Sequence, residues 1–226
     1  MSSLQERTEK TESILKLPTI RRLPRYLRLL NEMKSSGREF VSSESIAKTL
    51  NMKPIVVRKD LAFTGTSGKP RIGYSIDHLI SSIENVINFK GKNTAFLAGV
   101  GNLGSALLGY KGFAKHGLDI VAAFDTDSEK VSSIIHDRHI YPLEQLTELA
   151  KRLYPYIGIL CVPEEAAQEV TDIMVKAGIK GIWNFSNKEL NVPRDVVLQN
   201  EDLASGLAIL SIAVERRSNP GSLTEK

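Results

Sequence analysis

The 226-residue sequence predicts an α/β protein in which a small, mostly helical N-terminal domain precedes a larger domain built on a parallel β-sheet. Helical patterns and a glycine-rich hairpin fill roughly the first 90 residues, and strands alternate with helices from Asn93 onward. The charge also changes sign near this point. Residues 1–93 carry 17 Lys and Arg against 9 Asp and Glu, whereas residues 94–226 carry 13 against 17. A basic first half is typical of a region that meets a polyanion, although a solvated charge asymmetry is the alternative.

The composition excludes several classes of protein. The single cysteine, Cys161, excludes an intrachain disulfide framework and a zinc site built from several thiolates. No apolar run approaches the roughly 18–20 residues that cross a bilayer, and the opening MSSLQERTEKTE lacks the apolar core of a signal peptide. The four histidines show no paired spacing, so we predict no metal site. We therefore expect a cytoplasmic protein with no membrane partner.

Three consecutive helices are predicted in the N-terminal domain. Apolar residues recur at helical spacing from Leu23 to Met33, where Pro24 suits a first turn. Ser42 or Ser43 is a favourable N-cap for the second helix. The third helix is predicted over Pro54–Phe63. Its expected core-facing side chains are Ile55, Val57 and Leu61.

Glycine and proline then punctuate a short hairpin that ends at Tyr74–Ile76. Three helices followed by a hairpin predict a winged helix-turn-helix domain. Its third helix would enter the major groove of double-stranded DNA, and its hairpin would meet phosphates or a minor groove. The candidate DNA-contacting residues are Ser43, Lys53, Arg58, Lys59, Lys69 and Arg71. A helical bundle with a solvated basic face is the alternative.

The second domain opens with the glycine pattern of a dinucleotide site. An apolar strand, TAFLAG, runs directly into Gly99-Val100-Gly101-Asn102-Leu103-Gly104, and a helix and a second strand lead to Asp125. Gly99 would form the tight turn, Gly101 would let the backbone approach a pyrophosphate, and Gly104 would let helix and strand pack closely. The free N–H groups of the helix N-terminus would face the phosphates. Asp125 stands where a carboxylate accepts the ribose hydroxyls.

A 2′-phosphate would meet repulsion from Asp125, so the pattern favours NAD(H) over NADP(H) as the ligand. A Rossmann-like fold that binds no nucleotide is the alternative. SALLGYKGFAKHG predicts one helix, and His136 and His139 flank an expected loop. Strand and helix patterns then repeat through IGILCV, EEAAQEVTDIMVKAG and KGIWNF. This alternation predicts a doubly wound parallel sheet of the Rossmann type.

Hydride-transfer chemistry is not predicted. No His/Asp or Lys/Tyr pair occupies the place where a dehydrogenase holds its acid–base group, and the chain has no separate substrate domain. We therefore expect no enzyme. Two alternatives stay open: a small NAD-dependent dehydrogenase with a hydroxy or carbonyl substrate, and a nucleotide- or CoA-binding module that does not act on DNA.

A C-terminal helix is predicted over residues 200–217, with Asn200 as its possible cap. Its broad apolar face would pack either on its own chain or on another subunit. The apolar side chains are Leu203, Leu207, Leu210, Ile212 and Val214. The expected organisation is a flexible N-terminus (1–17), a winged-helix domain (18–90), a Rossmann domain (91–199), this helix (200–217) and a disordered tail (218–226).

Ten segments stand in a fixed order along the chain: RLPRYLRLL, VSSESIAKTL, VRKDLA, GVGNLGSAL, GYKGF, VAAFDTD, ILCVPEEAAQEVTD, AGIKGIWNF, LNVP and EDLA. From about Leu23 to Val214 the chain resembles the Rex family of bacterial redox-sensing transcriptional repressors. The resemblance implies a homodimer with winged helices on a Rossmann core and a C-terminal helix swapped between subunits. It also implies binding to operator DNA when NADH is scarce, and release when NADH binds.

The resemblance also implies roles for individual residues. The nucleotide site would comprise Gly99–Gly104, Asp125 and the Val162-Pro163 turn, with Asn184 and Phe185 near the nicotinamide. Arg58 and Lys59 would face DNA from the helix Pro54–Phe63. The residues that would form a ligand-dependent link across the subunit interface are Arg28, Tyr110 and Asp202.

The sequence departs from the family pattern at a few positions. Val56 stands where glutamine is common on the DNA-reading helix, and Pro70-Arg71 replaces a basic–glycine pair in the hairpin. Lys130-Val131-Ser132 follows the ribose aspartate where the family usually has K-I-G.

Overall fold

The computed structural model describes residues 17–87 and 93–218, and each stretch forms a compact unit. The predicted flexible N-terminus and C-terminal tail lie outside the described residues, except for Leu17 and Ser218, which belong to helices. Within the described stretches, no helix has the length and apolar character needed to cross a bilayer.

The first unit is built on the predicted three helices. Its elements are α1 (Leu17–Ser35), β1 (Phe40–Val41), α2 (Ser43–Leu50), α3 (Pro54–Phe63), β2 (Tyr74–Ser75) and α4 (Ile76–Val86). Ser42 caps α2, because its hydroxyl accepts a hydrogen bond from the backbone N–H of Ser45 at 3.1 Å. Helix α4 was not predicted from the sequence, and it buries Leu79 and Ile83 in the same core as α1.

Helix α1 begins earlier than predicted, so Pro24 lies in its interior and not in the first turn. The prediction was wrong because the first turn is held by a tertiary contact that apolar spacing does not show. The buried hydroxyl of Thr19 donates a hydrogen bond to Asp60 of α3 at 2.8 Å. The N-terminal extension of α1 is therefore stabilised by α3.

Helix α3 corrects the predicted core of this unit. Val57 and Leu61 are fully buried, as predicted, but the third buried position is Asp60, while Ile55 is 54% exposed. The prediction for Ile55 was wrong because residues two apart point to nearly opposite sides of a helix. Residues 57, 60 and 61 share one face at the spacing i, i+3, i+4.

The predicted hairpin pairs with a strand that precedes α2. Val41 pairs with Tyr74 in antiparallel register, and the tip is closed by backbone hydrogen bonds between Lys69 and Gly73 at 2.8 and 2.9 Å. Gly73 has a φ of +94°, and a Cβ there would collide with the carbonyl oxygen of Val41. The turn therefore requires glycine at this position.

The second unit contains a seven-stranded sheet and has the predicted doubly wound α/β architecture. Its strands are β3 (Asn93–Ala98), β4 (Leu118–Asp125), β5 (Ile134–Ile135), β6 (Arg138–Pro142), β7 (Ile157–Leu160), β8 (Gly181–Asn184) and β9 (Val197–Asn200). Its helices are α5 (Asn102–Leu108), α6 (Gly112–Lys115), α7 (Leu146–Leu153), α8 (Glu164–Lys176) and α9 (Leu203–Ser218), with a short 3₁₀ turn before α7.

The strand order β5-β6-β4-β3-β7-β8-β9 creates a switch point beside β3. The chain proceeds from β3 to β4 and β6 on one side, then crosses to β7, β8 and β9 on the other. All pairings are parallel except β5 with β6, and one buried cluster covers each face of the sheet. The carboxyl ends at such a switch point form the crevice where α/β sheets bind ligands.

Two local predictions in this unit were wrong. The expected single helix after the glycine turn is interrupted between Leu108 and Gly112. The expected loop at His136 is a tight hairpin between β5 and β6. His136 and Asp137 have φ values of +49° and +62°, the left-handed pair that a two-residue type I′ turn requires. His and Asp tolerate this conformation, but a His-Asp pair predicts such a turn less strongly than Asn-Gly does.

The C-terminal helix begins at Leu203, and Asn200 lies in β9. The cap is Asp202, whose Oδ1 accepts a hydrogen bond from the N–H of Ala204 at 2.8 Å. The prediction of Asn200 as cap was wrong because β9, a short edge strand, extends through that residue. The apolar side chains of α9 remain exposed on more than one side of the helix, so packing on its own chain is not observed for Leu207, Ile209, Leu210, Ile212 and Val214.

Candidate nucleotide-binding and DNA-binding sites

The turn Gly99–Gly104 joins β3 to α5 at the switch point. Gly99 has a φ of +89°, and a Cβ there would lie 2.6 Å from the carbonyl of Cys161. A Cβ on Gly104 would collide with the carbonyl oxygen of Gly99. At Gly101, by contrast, no atom lies within 4 Å of the Cβ position. The protein's own packing therefore requires the first and third glycines, whereas the second leaves open space of the kind a phosphate group needs.

Asp125 ends β4 beside this turn, with its side chain only 11% exposed. Its Oδ2 accepts a hydrogen bond from the N–H of Val100 at 2.7 Å, and its Oδ1 accepts one from the N–H of Asp127 at 3.0 Å. The ammonium of Lys130 lies 3.5 Å from Oδ2. These contacts hold the carboxylate in one orientation and leave lone pairs that can accept hydroxyl donors.

The residues that follow β7 and β8 complete the crevice. Val162, which is half-buried, and Pro163, which is exposed, form the turn into α8, and the backbone nitrogen of Val162 lies next to Gly99. Asn184 is buried, and its amide is fully used: Nδ2 donates to the Lys188 carbonyl and to Asn200, while Oδ1 accepts from the N–H and hydroxyl of Ser186. Asn184 therefore shapes the loop after β8 and has no free side-chain hydrogen bond to offer a ligand.

An aromatic cluster lies on the same side of the sheet. Phe185 packs against Trp183 with ring centroids 5.0 Å apart, Trp183 against Phe113 at 5.6 Å, and Phe113 against Tyr110 at 4.9 Å. The indole N–H of Trp183 donates to Glu201 at 3.0 Å. The predicted nicotinamide neighbour Phe185 thus belongs to an apolar surface whose far end, Tyr110, is 57% exposed.

The candidate DNA face of the first unit is the outer side of α3. Arg58 donates from Nε to the hydroxyl of Ser43 at 3.1 Å and pairs through Nη2 with Glu44. Ser43 is buried, so its role here is to hold Arg58. Lys53 and Lys59 are exposed on the same helix or at its start. One edge of the guanidinium is therefore fixed, and the N–H groups of Nη1 are left to contact a base or phosphate.

The tip of the hairpin presents the two other candidate cations. The N–H of Ile72 bonds to the Lys69 carbonyl at 3.2 Å, which makes Lys69–Ile72 a four-residue turn with Pro70 at its second position. Arg71, at the third position, has a φ of +63°, a left-handed conformation that glycine adopts more readily. Lys69 and Arg71 are both exposed. The turn thus holds Arg71 outward at some cost in backbone strain.

Comparison with known proteins identifies the family. Residues 90–188 match the family described as "CoA binding domain", and residues 17–62 match "Putative DNA-binding protein N-terminus". The redox-sensing transcriptional repressor Rex of Treponema denticola is 44% identical over 88% of this chain and 95% of its own. The chain belongs to the Rex family. The Rex protein of Bacteroides thetaiotaomicron is 42% identical over 85% of this chain and 88% of its own.

Solved Rex-family structures share this fold. The crystal structure of RSP in complex with β-NAD⁺ and operator DNA superimposes with a TM-score of 0.83 at 32% identity, over 89% of this chain and 93% of that chain. RSP in complex with β-NADH gives a TM-score of 0.81 at 31% identity, over 89% of this chain and 95% of that chain.

A buried polar cluster that the sequence did not predict fixes α3 in this Rex-family chain. Asp60 is 1% exposed and accepts hydrogen bonds from Thr19, Tyr26 and both Nε and Nη2 of Arg22 at 2.6–2.8 Å. Burial alone would raise the pKa of Asp60, but these donors lower it below its usual range. The only sequence signal was Asp60 at i+3 from Val57 on the buried face.

The three candidate interface residues behave differently in the single chain. Arg28 and Tyr110 are exposed. Asp202 is engaged within its own chain, where Oδ1 accepts from the N–H groups of Ala204 and Ser205 and Oδ2 from the Ser205 hydroxyl at 2.5 Å. The Ser205 hydroxyl and these N–H groups lower the pKa of Asp202. Its carboxylate would have to share or exchange these partners in an intersubunit link.

Cys161 directly follows β7, and its carbonyl group lies next to Gly99 of the glycine turn. Burial raises the pKa of its thiol to about 12, so the reactive thiolate is scarce at neutral pH. Among residues 17–87 and 93–218, no cluster of His, Cys, Asp and Glu could hold a metal ion.

Proposed function

We propose that this protein represses transcription as a homodimer that binds operator DNA when NADH is scarce and leaves it when NADH binds. The observation that supports the proposal most strongly is the Asp125 carboxylate held against a GxGxxG turn, on a chain that spans 95% of the Treponema Rex repressor. Relatives of that length and name are regulators, and we infer the same of this chain rather than an enzymatic activity.

The residues of the crevice fit an adenine dinucleotide. The open space at Gly101 accommodates a pyrophosphate, and the fixed carboxylate of Asp125 accepts ribose hydroxyls. NADPH carries a 2′-phosphate and CoA a 3′-phosphate on that ribose, and each would meet repulsion from the carboxylate. NAD(H) is therefore the preferred ligand, despite the match to the CoA-binding family.

Discrimination between the two redox states needs no catalytic group. NADH and NAD⁺ differ at the nicotinamide ring, which is positively charged when oxidised. The apolar surface at Phe185 and Trp183 favours the neutral ring, because burying a cation without a partner costs desolvation energy. NADH can shift the equilibrium between the DNA-bound and the released form only by the difference in its affinity for the two forms, and a hundredfold difference corresponds to about 2.7 kcal/mol.

The exposed apolar side chains of α9 form the proposed dimer contact, with Leu207, Leu210 and Val214 on one face of the helix and Ile209 and Ile212 on the other. Five large apolar side chains on one helix, each 48–70% exposed, exceed the scattered surface apolar groups of a typical monomer. A two-fold dimer would bring two α3 helices to two half-sites of a palindromic operator. We infer a cytoplasmic location for the protein, because the operator DNA that it is proposed to bind lies in that compartment.

The test is a titration of the full-length protein against a duplex that it selects from a random-sequence library. Binding is followed by fluorescence anisotropy at one fixed salt concentration, since phosphate contacts make affinity strongly salt-dependent. NADH should release the duplex at concentrations at which NAD⁺, NADPH and CoA leave it bound. A duplex that stays bound at every NADH concentration would contradict the proposal, and turnover of a hydroxy or carbonyl substrate would support the dehydrogenase alternative.

A further inference from the structure

We infer that Ile55 reads a thymine by packing against its C5-methyl group in the major groove. The inference rests on the proposed DNA-binding function and adds a specificity-determining contact to it. Ile55 lies in the first turn of α3 and is 54% exposed. A large apolar side chain at this position is not required for packing of the unit.

The core of the first unit is complete without Ile55. Val57 and Leu61 are the α3 side chains in the buried cluster, and Asp60 takes the third inward position. Isoleucine also gives a helix less intrinsic stability than alanine, because its branched Cβ loses rotamer freedom. Helix stability and packing therefore do not explain the residue.

The neighbours of Ile55 define the chemistry of what it meets. Arg58 and Lys59 follow at i+3 and i+4 and are exposed, so the three side chains form one stripe along the outer face of α3. Lys53, also exposed, precedes the helix. An apolar group surrounded by cations suits a partner that combines negative charge with an isolated apolar group.

Duplex DNA offers that combination in its major groove. The phosphates supply the charge, and the C5-methyl of thymine is the one apolar group that a base pair presents there. The first residues of a recognition helix are those that approach base edges. Isoleucine is stiff about its Cα–Cβ bond, so it loses little freedom when it packs against a methyl group.

The experiment removes the methyl group from the DNA and the side chain from the protein. In the duplex that the full-length protein selects, each thymine of one half-site is replaced singly by uracil, which lacks only the methyl group. One replacement should weaken binding by the wild type about three- to fivefold, the value for one methyl-sized group taken out of water. The same replacement should change binding by Ile55→Ala less than about 1.5-fold, because the coupled group is gone.

Ile72 is the matched control. It is an isoleucine that is 53% exposed, but it lies in the hairpin. The minor-groove edge of thymine carries no methyl group, so Ile72→Ala should retain the full uracil penalty even where the hairpin contacts DNA. Lys59→Ala should weaken binding to thymine and uracil duplexes by the same factor.

The outcomes separate this inference from the proposed function. A selected duplex whose affinity is indifferent to every uracil overturns the thymine contact and leaves DNA binding in place. A uracil penalty that persists in Ile55→Ala also overturns it and assigns the contact to another side chain. Failure of the library to yield any bound duplex overturns both proposals.

Discussion

The guanidinium of Arg22 on α1 donates two hydrogen bonds to the carboxylate of Asp60 on α3, at 2.6 and 2.8 Å. Asp60 is buried, and the pair joins α3, which carries the proposed DNA-reading face, to the longest helix described in the first unit. The orientation of Arg58 and Ile55 thus depends on an ion pair on the opposite side of the same helix.

Asp60→Asn should destabilise the first unit by about 3 kcal/mol, because it removes the buried charge that pairs with the partly buried Arg22. Denaturant unfolding monitored by circular dichroism measures the loss. The control is Asp77→Asn, which removes the exposed partner of Lys34 and should cost less than about 1 kcal/mol. Equal losses of unfolding free energy in the two variants would show that the buried pair stabilises the unit no more than the exposed pair does.

The same pair should make stability depend on acid. Hydrogen bonds lower the pKa of Asp60 in the folded state, so its contribution is fully present above its unfolded pKa of about 3.9. The contribution is lost as pH falls from there through the lower folded pKa. Wild type should therefore lose stability below about pH 4 more steeply than Asp60→Asn, and parallel curves would contradict this assignment.

Asp125→Ala should weaken NADH binding about 10- to 100-fold, the cost of removing hydrogen bonds to a charged acceptor. It also frees the N–H of Val100, so the melting temperature should fall slightly. Calorimetry measures the affinity, and anisotropy should show DNA binding without NADH nearly unchanged. The matched control is Asp127→Ala, which removes a carboxylate bonded to the Glu129 N–H and Lys130. Loss of DNA binding in Asp125→Ala would refute the division of labour between the units.

Arg58→Ala should reduce affinity for the selected duplex about 10- to 100-fold and leave NADH binding unchanged. Arg58→Lys should recover only part of the loss, since a lysine keeps the charge without the fork that bonds to Ser43 and Glu44. Lys34→Ala removes an exposed cation at the end of α1 and serves as the control. Full recovery by lysine would indicate a plain phosphate contact.

The only tryptophan of the chain should report NADH binding. Trp183 packs at 5.0 Å on Phe185, and its emission overlaps the absorption of reduced nicotinamide. NADH should quench the emission by energy transfer, whereas NAD⁺, which lacks that absorption, should not. Trp183→Phe removes the fluorescence signal. The anisotropy titration then shows whether NADH still releases DNA from this variant. Quenching that is unchanged by Asp125→Ala would place NADH elsewhere.

Leu210→Glu should convert the proposed dimer into a monomer, because a carboxylate on the apolar face of α9 would be buried without a partner. Sedimentation velocity measures the change. Ile72→Glu adds the same charge at an exposed apolar position of the hairpin, outside α9, and should stay dimeric. A wild type that sediments as a monomer at all concentrations would remove the basis of the two-half-site proposal.

Local patterns were sufficient for the parts of the fold that depend on neighbouring residues. The glycine turn and Asp125 were predictable because the tight turn and the close approach of helix and strand are properties of a short segment. Helix α3 was predictable from Pro54 onward because proline is favoured in a first turn. The parallel sheet followed from the alternation of strands and helices.

Only the tertiary structure decided which polar groups are buried and which apolar groups are not. Asp60 is inside and Ile55 outside because the position of α3 against α1 is set by hydrogen bonds between residues about 40 positions apart, such as Thr19 with Asp60. Asp202, not Asn200, caps α9 because β9 adds an edge strand to the sheet. Side-chain spacing encodes the faces of a helix, but the choice of the buried face depends on packing partners distant in sequence.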